Sequence, residues 1–310
     1  RRLAAVGGAE LAVAAVLAAA GLGLPGRSAP PPAASGTPAV SPTGISVPAP
    51  PRFDPLVQYA DFGWVPDGLT SRGVYTEPVR QRVSAAAPVT AKEQPGRVSL
   101  VTVPPGGEIS PDVTYTDADP VGGRPARWGQ EGGTTVLRWQ YAPGSWAEVT
   151  VADLADPRAV ARRVAESVRF GVDRPIRMPI RASGIPPAFR LMGASVYSYG
   201  SGVWSAELDF SDAGGVNDLG DWPLRVMAVT TAQIGNDNGA TLGEPNTTVD
   251  GHPARRTTGS DGGKGLQVYD VDGVYLELAT HGPTVAGKLP GGLDAVLRNL
   301  EVAHDPAGWF

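Results

Sequence analysis

The sequence predicts an α+β fold: two tandem related domains, each an antiparallel β-sheet covered by a C-terminal α-helix, behind an N-terminal transmembrane helix and a proline-rich linker. Three observations lead there. The chain opens on an apolar run, a block of prolines follows, and the remainder repeats itself, with Val121–Ala126 matched by Val249–Ala254. The expected boundaries are 1–24 for the membrane segment, 25–52 for the linker, 53–175 for the first repeat and 176–310 for the second.

Leu3 to Leu24 is Ala, Val, Leu and Gly, broken only by Glu10. As a helix it would be roughly 33 Å long at about 1.5 Å per residue, enough for a hydrocarbon core of about 30 Å. Arg1 and Arg2 precede it, and positive charge stays cytoplasmic, so the rest of the chain is expected outside the membrane. Glu10 is costly at depth unless it snorkels or takes up a proton. It leaves a clean apolar core of Leu11 to Leu24, a length that also fits a signal peptide. A retained anchor is the favoured reading and a cleaved signal, with a secreted product, the alternative. The chain does not begin with Met, which leaves room for a cytoplasmic segment ahead of Arg1. Residues 25–52 hold nine prolines among Ala, Ser, Thr and Gly without apolar periodicity. That is a disordered or polyproline-like spacer.

Within the repeat, Gly122-Gly123 and Asp250-Gly251 are two-residue signals for tight hairpins. The match continues from Leu137 to Leu266, Gly144 to Gly273, Trp146 to Tyr275, Glu148 to Glu277 and Val149 to Leu278. Leu137, Trp139 and Tyr141 alternate on one strand face; Val274, Leu276 and Leu278 do so on another, with Tyr275 and Glu277 opposite. A helix closes each copy. Asp156 is the expected N-cap and Pro157 the first helical residue of one, with Val160, Val164 and Val168 on its apolar face and Gly171 as its stop. In the other, Leu293, Val296, Leu297 and Leu300 give the spacing of a buried helix face. Trp64-Val65-Pro66 resembles Gly184-Ile185-Pro186 at the two starts. Strands are expected at Val98–Val103 and Leu224–Thr230.

Composition narrows the function. Gly (41) and Pro (31) favour turns and short strands over long helices. Cysteine is absent, which removes disulfides, thiolate ligands and a Cys nucleophile. Net charge is −5 overall; the first 52 residues carry four arginines against Glu10, so the outer part is more acidic still. That argues against nucleic acid as a partner.

The stretch Arg1-Arg2-Leu3-Ala4-Ala5-Val6-Gly7-Gly8, followed by Ala, Val and Leu, resembles the membrane segment of actinobacterial single-pass membrane proteins of the anti-sigma-factor-like kind. Composition, with its Ala, Gly, Pro and Arg excess, is similar to that of high-GC bacteria. The repeat unit (Gly-x-Pro-Ala, strand, Gly turn, strand, helix) resembles small extracytoplasmic sensor-type domains behind such anchors, and secreted mycobacterial lipoprotein modules. The resemblance implies envelope sensing. The chain departs from it in having neither a lipobox Cys nor a zinc- or sigma-binding segment.

Catalytic signals are weak. His252, His281 and His304 show no metal-ligand spacing. Ser195 and Ser260 lie outside any Gly-x-Ser-x-Gly elbow. Asp112, Asp117 and Asp119, and Asp209, Asp212, Asp218 and Asp221, read as solvated loop residues. Asn236-Asp237-Asn238-Gly239 resembles a calcium loop, but Pro245 stands where the bidentate Glu belongs. No catalytic, cofactor-binding or metal-ligating residue is assigned, and no cofactor is expected. The candidate partner surface is Trp146, Tyr275, Glu148 and Glu277, beside a groove between the copies. The expected function is a membrane-tethered extracytoplasmic binding or sensor module without catalytic activity, bound to the bilayer through residues 3–24 and facing an envelope protein or ligand. The alternative is a secreted cell-wall or carbohydrate-active hydrolase using paired carboxylates.

Overall fold

The computed structural model describes residues 48–88, 96–107, 109, 113–212, 222–236 and 242–310. The expected membrane segment and all but the end of the linker lie outside them. Among the described residues no helix is long and apolar enough to cross a membrane.

The chain runs β1 (Val57–Asp61), β2 (Ser71–Glu77), β3 (Arg80–Ala86), β4 (Arg97–Val103), β5 (Thr116–Val121), β6 (Arg124–Glu131), β7 (Thr134–Ala142), β8 (Ser145–Ala152), α1 (Pro157–Ser167) and β9 (Arg169–Pro175). The second half follows as β10 (Ile180–Ala182), β11 (Arg190–Gly200), β12 (Val203–Ser211), β13 (Leu224–Thr230), α2 (Thr231–Asn236), β14 (Thr247–Val249), β15 (His252–Thr258), β16 (Lys264–Val271), β17 (Val274–Thr280), α3 (Pro283–Gly287), α4 (Gly292–Arg298) and β18 (Leu300–Val302).

The predicted α+β class is corrected. Strands make up 52% of the structure and helix 13%, and the two expected sheets are one. Fourteen strands form a single antiparallel sheet in the order β14-β15-β16-β17-β13-β12-β11-β2-β3-β4-β8-β7-β6-β5. The order is a palindrome about the β11–β2 pair, so each half contributes seven strands. The reason lies at that seam. β2 and β11 pair over Ala194–Ser198 and Arg72–Thr76; as separate edges each would leave a row of N–H and C=O groups unpaired. Local alternation within one copy carries no sign of pairing between copies.

The helices cover only part of one face. α1 lies against β7 and β8, and α4 against β16 and β17. Ala161, Val164 and Ala165 of α1 join Leu100, Leu137, Trp139 and Val149 in one core. Leu293, Val296 and Leu297 of α4 join Leu224, Leu266, Leu276 and Leu278 in the other. Val74, on the seam, packs against both. Two ribbons complete this covered face: β1 with β9, and β10 with β18.

Details of the helices differ from expectation. Asp156 precedes α1 and Pro157 opens it, but Asp156 is left-handed (φ 47°) and makes no capping bond. α1 ends at Ser167, not at Gly171. Ser167 Oγ donates to the Val164 carbonyl at 2.8 Å and accepts from Trp64 N–H at 2.9 Å, turning the chain out of the helix. Gly171 lies inside β9. Leu300, read as the last contact of the second helix, begins β18. The hairpin turns follow their residues: Gly122-Gly123 (φ 57° and 76°), Asp250-Gly251 (49° and 86°) and Asp272-Gly273 (50° and 83°) all take the left-handed conformation of a type I′ turn.

At the seam the Tyr197 ring crosses from β11 over β2, directly above Gly73. A Cβ on Gly73 would lie 2.1 Å from Tyr197 Cδ1 and 2.6 Å from Ser84 Oγ. Gly73→Ala is therefore expected to cost about 1–3 kcal/mol of stability, as overpacking does. In a Tyr197→Ala background the same substitution should cost much less, which urea unfolding of the two pairs of proteins measures as a coupling energy. Equal costs in both backgrounds would show that Tyr197 does not hold this position.

Candidate functional site

The face opposite the helices is polar, and the strand registers order it. A single row of directly paired residues crosses from β6 to β15: Arg127, Arg138, Glu148, Val101, Arg82, Tyr75, Ser195, Glu207, Met227, Glu277, Gln267 and Arg255. Direct partners project to the same side, so these twelve share one face. The seam lies between Tyr75 and Ser195. Counting outward from it pairs Arg82 with Glu207, Val101 with Met227, Glu148 with Glu277, Arg138 with Gln267 and Arg127 with Arg255. The spacing of the repeat in the sequence thus reappears as a two-fold relation across the sheet.

The sequence-selected residues do not come together. Glu148 and Glu277 lie on β8 and β17, seven strands apart in the sheet order, which is roughly 34 Å along the sheet at about 4.8 Å per strand. Glu148 and Tyr275 are buried, at 5% and 2% exposure, so neither offers an open contact surface; Trp146 and Glu277 are half-buried. Tyr275 packs with Met227 and Val229, flanked by Ile234, Leu242 and Tyr269.

The two glutamates are internal acceptors with different donors. Glu148 Oε2 takes the Tyr115 hydroxyl at 2.9 Å and Arg138 Nε at 3.1 Å, and the Arg138 guanidinium lies 4.2 Å over the Tyr115 ring. Glu277 Oε2 takes the Tyr275 hydroxyl at 2.7 Å and Gln267 Nε2 at 3.2 Å. The cation of the first copy is thus a neutral amide in the second. Burial pushes the Glu277 carboxyl above its usual value, against the pull of those donors.

Nearer the seam are side chains that motif searching passed over, together with Asp209, which it read as a loop residue. On β12, Glu207 and Asp209 both face Arg225 of β13, whose Nε lies 3.4 and 3.3 Å from them. Asp209 is 1% exposed. Burial, and then the Glu207 charge, raise its carboxyl well above the ordinary range. Its Oδ2 has no hydrogen-bond partner among the described residues. Asp209 is therefore a strand residue in the interior and not the solvated loop residue expected. On β2 and β3, Glu77 accepts from the Tyr75 hydroxyl at 3.0 Å and meets Arg80 Nε at 3.1 Å. Arg82 follows on the same face. The Arg80-x-Arg82-x-Ser84 and Glu207-x-Asp209 alternations carried this signal, since period-two polar residues flanked by buried ones mark a polar sheet face.

The remaining candidates are scattered. Asp117 and Asp119 lie on the edge strand β5, where charge and Pro120 discourage further pairing. Asp212 ion-pairs with Lys288. Asp112, Asp218, Asp221 and Asp237–Gly239 lie outside the described residues. His281 stands 3.9 Å from Asp261, while His252 and His304 are distant in the fold order. Among the described residues no group of three His, Asp or Glu side chains could hold a metal ion. A cavity of about 470 Å³ lies at the end of the linker, between Pro48, Arg52, Phe53, Asp54, Tyr59 and Asp173. Its Tyr59 hydroxyl donates to the Pro48 carbonyl and is pushed up to about 12, by burial first and Asp173 second. It serves to seat the linker on β1.

Comparison of the sequence with known protein families and with curated proteins finds no match. The site has to be read from its own geometry.

Glu277 provides a pH test. A carboxyl whose folded pKa lies above its unfolded value keeps a proton that the unfolded chain has lost, so its contribution to stability declines as pH rises. Relative to wild type, Glu277→Gln should gain stability as pH is raised from below the usual 4.5 to neutrality. Thermal melts of both proteins at matched ionic strength measure the difference. A pH-independent difference would show that Glu277 is not held protonated by burial.

Proposed function

We propose that the protein is a non-catalytic binding module whose ligand or partner sits on the polar face of the sheet, across the seam between the two halves. The observation that carries this reading is the composition of the site from both copies. Tyr197 of the second half lies over Gly73 of the first, and Tyr75 pairs directly with Ser195. A sheet face built by two diverged copies of one unit suits recognition of an asymmetric ligand. The apolar segment 3–24 and the linker fit a module tethered to a membrane and displayed outside the cytoplasm, as part of envelope sensing.

One arrangement favours the hydrolase alternative. Glu207 and Asp209 form an acidic pair with one carboxyl raised, as acid catalysis needs. Against it, Asp209 is closed to solvent and both carboxyls are turned onto Arg225. Paired carboxylates in glycoside hydrolysis stand about 5–9 Å apart around the bond to be broken, and here they face the same guanidinium.

The two readings separate in one experiment. The full chain, purified in detergent, is screened by thermal shift against amino acids, sugars, cell-wall fragments and organic acids, and each stabilising compound is recovered and analysed by mass spectrometry. The binding reading expects compounds recovered unchanged, with the shift reduced at least tenfold in apparent affinity by Tyr197→Ala. Recovery of cleaved product, at a rate abolished by Asp209→Asn, would overturn it in favour of the hydrolase.

A further inference from the structure

On the polar face of the second half, three carboxyl groups meet one cation. Glu207 and Asp209 are two residues apart on β12, so they project to the same side. Arg225 Nε, on β13, lies 3.4 Å from the Glu207 carboxylate and 3.3 Å from that of Asp209. Both acids therefore converge on one nitrogen. The third carboxyl, Glu277 of β17, acts on the same guanidinium. With all four groups ionised, three negative charges would face one positive charge. Asp209 is 1% exposed and the Glu207 side chain 13%, so water does little to offset that excess.

Among the described residues, the other groups packed against the pair are neutral. From β11, Gly193 is the direct partner of Asp209, and a Cβ there would lie 2.9 Å from Asp209 Oδ2. Tyr197 of β11 faces Glu207, and Tyr75 of β2 faces Asp209; both are phenols that burial keeps protonated. On the far side of the seam Arg80 is held by Glu77, and Arg82 faces Tyr197, Tyr75 and Glu77. Asp209 Oδ2 has no donor, yet the Glu207 carboxyl stands within hydrogen-bonding reach of the Asp209 carboxyl. Two ionised carboxylates cannot make that bond, because each only accepts. One proton between them supplies the donor and removes the repulsion of like charges.

We infer that Glu207 and Asp209 share one proton, and that its loss as pH rises weakens the sheet beside the seam. With the proton in place the pair carries one negative charge, which Arg225 balances. Without it, two carboxylates are held together beside one guanidinium. Asp209 is then charged, closed to water and seated over β11, the strand that makes the seam. Burial, and then the Glu207 charge, hold the Asp209 carboxyl well above its ordinary value. A group whose folded pKa is raised contributes stability that is full below its unfolded pKa and is lost as pH climbs through the folded value. The window therefore opens at the ordinary carboxylate range and extends upward from it. A module displayed outside the cytoplasm, as proposed above, would be firmest in acid surroundings.

The test compares the full chain in detergent with Asp209→Asn and Glu207→Gln at constant ionic strength. In infrared spectra at neutral pH, wild type should show the C=O stretch of a protonated carboxyl, sensitive to exchange into heavy water, that Asp209→Asn lacks. In thermal melts, the Tm of each variant minus that of wild type should rise by at least about 3 °C between about pH 5 and pH 9. Glu77 and Glu277, whose carboxyls burial also raises, are present in every protein compared and cancel in the differences. A purely structural role for the pair would lower the Tm of the variants by the same amount at every pH. That result, or infrared spectra of wild type and Asp209→Asn that match in the carboxyl region, would overturn the inference. Should Asp209→Asn not fold, the melts of Glu207→Gln decide alone. A ligand screen without hits would leave this result untouched, because the shared proton belongs to the scaffold and does not rest on the binding reading.

Discussion

The pairing of β2 with β11 is the constraint on which the rest of the structure depends. It joins two seven-strand halves into one sheet and removes two exposed edges that would each invite pairing with another chain. It also fixes register across the whole face. Because side chains alternate with a period of two, a slip of one residue at the seam would send Val74 and Val196 to the polar side and Tyr75 and Ser195 into the core. Val74 touches both cores, so burial holds that register from one side. Tyr197 seated on Gly73 holds it from the other. The edges left over, β5 and β14, are managed differently: β5 carries two aspartates and a proline, and β14 is only three residues long.

Once the register is fixed, the two copies can be compared position by position, and their faces have diverged unequally. The covered face keeps its character: Leu137 and Leu266, and Val149 and Leu278, are all fully buried. The polar face does not. Arg82 stands where the other copy has Glu207, and Arg138 where it has Gln267. Ser84 corresponds to Asp209. The result is a cationic side and an acidic side across one seam. Cores constrain volume and patterning, whereas a polar face away from the helices is free to specialise.

The sequence carried more of this than its fold class suggests. The hairpin turns, the strands at Val98–Val103 and Leu224–Thr230 and the spacing of the two copies all follow from local rules: left-handed Asp-Gly and Gly-Gly turns, period-two burial, and matched positions such as Glu148 and Glu277. What was not legible is what local rules do not contain. No pattern within β2 announces that its partner is β11, so two sheets were expected where one exists. Helix ends failed for a similar reason. Leu300 continues the apolar spacing of α4, but its backbone is claimed by β10, a tertiary contact. Among site residues, Glu148 and Glu277 drew notice by symmetry, and symmetry is what keeps them apart. Arg82 drew none and Asp209 was read as a solvated loop residue, because charged residues on a strand look solvated until the neighbouring strands are known.

Buried polar groups distinguish the two halves of the site in a way that bears on binding. In the acidic half, excess negative charge has an internal remedy: a carboxyl can take up a proton, and burial with the Glu207 charge raises the Asp209 carboxyl well above its ordinary range. In the cationic half no such remedy exists, since a guanidinium keeps its charge. An unpaired donor in the interior costs about 1–3 kcal/mol, and Arg82 Nε, Ser99 Oγ and Trp222 Nε1 each lack a partner in hydrogen-bond geometry among the described residues. Replacing these groups with apolar ones of the same size would relieve the cost without disturbing the covered core.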